Sequence, residues 1–200
     1  GDSDGFRPAK EGEPFERGDR LACREKSAAL LLWSNGSMLK VYPDTEVGLA
    51  GVTFELDKKV EKTVLDLAKG RVFVKGQVPE HIFCEFKVKM GPIHALTQGA
   101  EFALTYDPAQ KSYTAWPILG RIVTEIGTER IRVEEGQQGT IREGQKPAKE
   151  DIVPITEKTK QALWKVSKEL GGSLLLEDEG EGGTGGKLVV KIGGVRNRRG

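Results

Sequence analysis

The stretch from Gly18 to Val47 constrains the fold more than any other part of the chain. Gly18-Asp19-Arg20-Leu21, Ala29-Leu30-Leu31-Leu32-Trp33, Asn35-Gly36-Ser37 and Pro43-Asp44-Thr45 fall in a regular order of strand, strand, tight turn, strand and turn. Strand alternation puts Ala29, Leu31, Trp33, Leu39 and Val41 on one face and Leu30, Leu32, Met38 and Tyr42 on the other. Both faces are apolar, so these strands must be covered on both sides, as inside a sandwich or a rolled sheet. Asn35-Gly36 between apolar runs predicts a two-residue type I′ hairpin, because both residues tolerate positive φ.

Turn-punctuated short strands continue beyond this point. Val52 to Leu56 alternates and ends at Asp57-Lys58-Lys59, and Thr63 to Leu67 and Arg71 to Lys75 read as a hairpin reversing at Lys69-Gly70. Phe83 to Met90 and Ala100 to Tyr106 read as strands marked off by Gly91-Pro92 and Gln98-Gly99, and Asp107 to Gln110 as the turn before Ser112 to Trp116. Leu119-Gly120-Arg121-Ile122-Val123 repeats the form of Lys69-Gly70-Arg71-Val72-Phe73, which is reused hairpin chemistry or a weak internal duplication.

The pattern changes at Thr156, a helix cap followed by Leu163, Val166 and Leu170 at helical spacing, with Gly171-Gly172 as the stop. The expected organisation is a flexible leader over 1–17, an all-β domain over 18–150, and a C-terminal part over 151–200. That last part holds a helix at about 156–170, docked on the β domain, and a Gly-rich hairpin or disordered tail in which Leu174-Leu175-Leu176 pairs with Leu188 to Ile192. The fold class is therefore all-β, a rolled sheet, sandwich or β-solenoid-like domain built from hairpins, with one C-terminal α-helix. Twenty-six glycines and an aromatic content of 6% in 200 residues agree with many short strands.

Charge excludes one function class. Thirty-one basic and 30 acidic side chains leave +1, no global field to collect nucleic acid. No run approaches the roughly 18 apolar residues of a membrane helix, and no leader peptide is present. The chain begins at Gly1 rather than Met, which points to an excised fragment or processed form with a leader or anchor upstream.

Candidate chemistry is sparse. His81, Cys84 and His94, with Cys23 as a distant fourth, invite a metal site, but residues three apart on a strand face opposite ways, which argues against convergence. Cys23 and Cys84 allow one disulfide at most, and the strand around Cys84 favours a buried free thiol. No nucleophile elbow or phosphate loop occurs. Glu134-Glu135 and the acidic run Glu177 to Glu181 are carboxylate clusters that suit acid and base groups or calcium ligands; the Gly-rich second one lacks the alternating Asp/Asn of a calcium loop and reads as a solvated loop. Asn35-Gly36-Ser37 also fits a glycosylation acceptor, and Arg196 to Arg199 a small basic terminus; a turn and a solvated end explain them as well. No catalytic, cofactor-binding or metal residue is assigned, and no cofactor is expected.

The ordered motifs resemble the FecR-type periplasmic domain of bacterial cell-surface signalling proteins. The resemblance is carried by Gly18-Asp19-Arg20-Leu21, Ser27, Ala29, Leu31, Asn35-Gly36-Ser37, Leu39, Pro43 and Thr45, then Leu67-Ala68-Lys69-Gly70-Arg71-Val72. It continues through Gly91-Pro92, Gln98-Gly99-Ala100-Glu101-Phe102, Leu119-Gly120-Arg121-Ile122 and Gly136-Gln137, covering about 18–147. Thr-Pro and Arg-Gly-Thr-Glu-Phe of the family pattern are replaced here by Gly91-Pro92 and Gln98-Gly99-Ala100-Glu101-Phe102. The resemblance implies a non-enzymatic module of the periplasm or cell envelope that passes a protein-binding event to a sigma-factor regulator. Its implied partner is an outer-membrane transporter signalling domain or a membrane-anchored regulator. The alternative is an envelope structural domain or a glycan- or peptidoglycan-binding domain, with Trp33, Tyr113 or Trp116 stacking on sugars.

Overall fold

The computed structural model describes residues 5–76, 83–178 and 189–192, with side chains through Gly171. Its first strands are β1 (Pro14–Phe15), β2 (Arg20–Cys23), β3 (Ala29–Leu32), β4 (Met38–Val41), β5 (Thr45–Glu55) and β6 (Val60–Lys75). After these come β7 (Phe83–Met90), β8 (Ile93–Gln98), β9 (Glu101–Asp107), β10 (Ser112–Leu119), β11 (Ile122–Ile126) and β12 (Glu129–Val133). The chain continues with β13 (Gln137–Arg142), β14 (Ile152–Pro154), helix α1 (Glu157–Asp178) and β15 (Val189–Ile192).

These strands make one 15-stranded sheet folded into two layers. The first layer runs β1-β15-β3-β4-β6-β9-β10-β13-β14, and the second β2-β5-β6-β7-β8-β11-β12. β6 belongs to both: its first half pairs with β5 and β7, its second half with β4 and β9. The change-over is at Gly70, whose φ is +96°. Lys69-Gly70 is thus not the expected hairpin reversal but a bend in a continuous strand. A Cβ at Gly70 would lie 2.3 Å from Thr45 Oγ1 and 2.6 Å from Thr45 Cα, so no side chain fits there. Thr45 closes the bend: its Oγ1 accepts from the Arg71 N–H at 2.9 Å.

Between the layers lies the larger core, with Ala29, Leu31, Trp33, Leu39 and Val41 from one side and Leu65, Leu67, Phe86 and Val88 from the other. The Trp33 and Phe86 rings meet edge to face with centroids 5.3 Å apart, and the Trp33 Nε1–H donates to Thr63 Oγ1 at 3.2 Å. A second core lies outside the first layer, where Leu30, Met38, Phe73, Ala103 and Ile118 meet Leu163 and Leu170 of α1. Leu32, Tyr42 and Trp116 pack at its margin. The two apolar faces expected for β3 and β4 are therefore each covered, one by the other layer and one by the helix. Thr156 caps that helix as expected, accepting from the Thr159 N–H at 3.3 Å.

Four further expectations need correction. The Asn35-Gly36 turn is not type I′: only Gly36 has positive φ (+87°), and Gly36 N–H donates to Trp33 C=O at 3.0 Å. The loop is a three-residue connection ending in a left-handed glycine, in which Asn35 Oδ1 accepts from the Ser37 N–H at 2.7 Å instead. Gly171-Gly172 does not stop the helix, which runs on to Asp178 through Leu174-Leu175-Leu176, so those leucines do not form a hairpin strand. Glycine permits a helix end without enforcing one, and the leucines that follow are strong helix formers. Val189–Ile192 pairs instead, in parallel, with β3 and β1. Within the supposed leader, Pro14–Phe15 forms β1, and Phe15 is buried because its ring fills the inter-layer core. β8 also adds a strand over Ile93–Gln98, between the turns at Gly91-Pro92 and Gln98-Gly99.

Candidate interaction surfaces

Among the described residues, none of those considered for chemistry converge. Among the described residues no group of three or more His, Cys, Asp or Glu side chains could hold a metal ion. His81 lies outside the described residues, as do Arg196 to Arg199 and most of the acidic run after Asp178. His94 stands half-buried on β8, held below its usual pKa by burial and by Lys87 and Lys89. Glu135 Oε1 is used structurally, accepting from the Gly120 N–H at 3.0 Å.

Cys23 and Cys84 are both free and buried. Burial pushes the Cys23 thiol up to about 11 from an ordinary 9.0. Cys84 is raised as well, chiefly by burial, and its Sγ lies 3.5 Å from Asn35 Nδ2. Thiolate is the reactive form, so native protein is expected to react with Ellman's reagent far more slowly than the denatured chain. The folded state keeps a proton on Cys23 that the unfolded chain loses, so this thiol lowers stability as pH rises from about 9 to about 11. In urea melts at pH 9 and 10, Cys23→Ala is expected to show a shallower alkaline loss than the parent. Above pH 10 Tyr113, raised by burial against a 3.3 Å hydroxyl contact with Thr124, adds its own loss.

The aromatics proposed for sugar stacking are all in use. Trp33 and Tyr113 are 3% and 0% exposed. Trp116 is half-buried; its Nε1–H donates to Gln138 Oε1 at 2.8 Å and its ring lies 5.4 Å from the Arg71 guanidinium carbon. Tyr42 faces the same guanidinium at 5.0 Å and the Lys40 ammonium at 4.7 Å. Trp33 and Tyr113 therefore offer no exposed face to a sugar, and Trp116 is held by Gln138 and Arg71.

Two surfaces remain. One is the seam between α1 and the first layer, where a buried polar group sits among the apolar contacts. Lys75 and Glu101 are cross-strand partners on β6 and β9, with Lys75 Nζ 3.6 Å from Glu101 Oε1. Ser167 of α1 inserts between them, donating to Glu101 Oε2 at 2.6 Å and accepting from Lys75 Nζ at 3.0 Å. Lys75 Nζ also donates to the Ser167 carbonyl at 3.1 Å. Here the Gln98-Gly99-Ala100-Glu101-Phe102 motif supplies the carboxylate that latches the helix.

The other surface is the outer face of the second layer. Val64, Lys87, Leu96, Val123 and Arg132 are register partners in a row across β6, β7, β8, β11 and β12. They line a cleft of about 520 Å³ with Lys62, Glu85, Arg121 and Arg130. β12 ends the layer and has no further strand partner among the described residues.

Residues 19–116, which include the bent β6, the Thr45 closure and Glu101, match the family model described as FecR protein. The chain carries a FecR-type domain. Two crystal structures of a candidate anti-sigma factor from Parabacteroides distasonis ATCC 8503, at 1.65 and 2.50 Å resolution, are similar in fold. Their TM-scores are 0.51 and 0.52 and their sequence identities 12% and 11%, over 70% of this chain and 60% of theirs. The chain thus spans about 60% of the length of those structures. No curated protein matches the chain. The FecR-type domain match ends at Trp116, so β11 to β14 and the docked helix lie beyond it while sharing its sheet and its cores. No helix among the described residues is long and apolar enough to cross a membrane.

Proposed function

We propose that this chain is a non-enzymatic sigma-factor regulatory module that works in the bacterial periplasm or cell envelope by protein–protein contact. The observation that carries the reading is the FecR family match over residues 19–116. The likeness in fold to a candidate anti-sigma factor supports it. The partner is an outer-membrane transporter signalling domain or a membrane-anchored sigma-factor regulator. A rigid two-layer sheet with an open strand edge suits recognition of a polypeptide.

The test is capture from an envelope extract with the full chain as bait and identification by mass spectrometry. Enrichment of a transporter signalling domain or a membrane-anchored regulator is the expected result. Recovery of peptidoglycan-associated material alone overturns the proposal in favour of an envelope-binding role.

A further inference from the structure

We propose that the cleft on the outer face of the second layer is the docking site for an extended acidic segment of a partner protein, with an apolar side chain held between two carboxylates. The inference rests on the protein-binding reading above. Five cations line the cleft, Lys62, Lys87, Arg121, Arg130 and Arg132, against the single carboxylate of Glu85. Two are compensated: Lys62 Nζ lies 2.9 Å from Glu55 Oε1, and Arg130 Nε 3.1 Å from Glu125 Oε1. Lys87, Arg121 and Arg132 form no ion pair among the described residues. A chain of near-neutral net charge thus concentrates uncompensated positive charge in one concave place, where it attracts anionic groups most strongly.

The spacing selects the ligand. Arg132 and Lys87 are three strand steps apart in the register row, with Val123 and Leu96 between them. At about 4.8 Å per step that is roughly 14 Å, the reach of four residues of extended chain at about 3.4 Å each. Residues i, i+2 and i+4 of such a chain point the same way. A segment laid along the row therefore places an acid on Arg132, an apolar residue over Val123 and Leu96, and a second acid on Lys87. Arg121 strengthens the field beside the row. A single small anion cannot span these cations, and a flat bilayer surface does not enter a concave trough.

The probe is a fluorescein-labelled peptide containing Glu-Ser-Val-Ser-Glu, titrated by anisotropy against the full chain at low salt. Controls replace both Glu by Lys, or Val by Ser, and a parallel assay uses phosphatidylglycerol vesicles. Saturable binding of the Glu-Val peptide, weakened at least about ten-fold by the double variant Lys87→Glu/Arg132→Glu, is expected. The Lys peptide should bind that variant in preference to the parent. These positions are on the outer face, so an unchanged melting temperature shows that the variant is folded. Absence of binding, equal binding by parent and variant, equal binding of the Ser control, or binding of vesicles without the peptide overturns the proposal. In the envelope capture, a partner retained by parent and variant alike overturns this surface and leaves the protein-binding reading standing. Absence of any partner with the parent chain counts against that reading, while the peptide titration still decides on the cleft.

Discussion

Gly70→Ala is expected to destabilise the protein by about 4 kcal/mol, the sum of a left-handed backbone strain of about 1–2 kcal/mol and overpacking of about 1–3 kcal/mol. The overpacking is specific. A Cβ would lie 2.3 Å from Thr45 Oγ1, 2.6 Å from its Cα and 2.7 Å from its Cβ, and the backbone atom cannot swing away. For a chain of this size the melting temperature should fall by roughly 10 °C. Gly18→Ala separates the two contributions, because Gly18 has φ +92° but nothing within 4 Å of its would-be Cβ. It should cost only about 1–2 kcal/mol. Thr45→Ala should not rescue Gly70→Ala, since the Cα and Cβ collisions persist without the hydroxyl. Equal melting temperatures for the two glycine variants would show that the β6 bend has room the structure does not allow.

Lys75→Met should cost about 3 kcal/mol, because among the described residues it leaves the Glu101 carboxylate with Ser167 as its only side-chain donor. Glu101 is 8% exposed and Ser167 2%, so water offers poor compensation. The double variant Lys75→Met/Glu101→Leu removes the unpaired charge and should recover most of the loss, as buried ion pairs replaced by apolar groups commonly do. Urea unfolding gives the energies. Limited proteolysis reports the location: if the triad latches α1, Lys75→Met should accelerate cleavage within the helix before cleavage in the strands. Uniform acceleration across the chain would mean that the helix and sheet do not separate.

The parts of this architecture that were legible in the sequence are those governed by local rules. Alternation in Ala29 to Tyr42 correctly divided the side chains between two buried faces, since a strand has no choice about which residues share a side. Phe83 to Met90 and the Thr156 cap were equally readable. Gly70 was not, because a glycine between two apolar runs looks the same whether the chain reverses or bends. The decision rests on Thr45, twenty-five positions away in sequence, whose backbone occupies the space a side chain would need. Asn35-Gly36 failed for a related reason: Asn35 used its carboxamide to hold the Ser37 N–H rather than adopt positive φ itself. The cleft was invisible, since Lys87, Leu96, Val123 and Arg132 lie far apart along the chain and become neighbours only through strand register. A β8 strand between Gly91-Pro92 and Gln98-Gly99 was the missing link in that register.

The sharing of β6 between both layers has a consequence for how the molecule comes apart. A fold made of two independent sheets could lose one and keep the other, whereas here every route to separating the layers must break the hydrogen-bond ladders of the same sixteen-residue strand. Its amides should therefore be the last to exchange with deuterated solvent, and its two halves should exchange together, as one cooperative unit. Because that unit gathers partners from Met38 to Tyr106, its assembly must close long loops before it is rewarded. Folding should accordingly be slow for the protein's size, and the finished sheet should transmit a push on one layer to the other as a single stiff body.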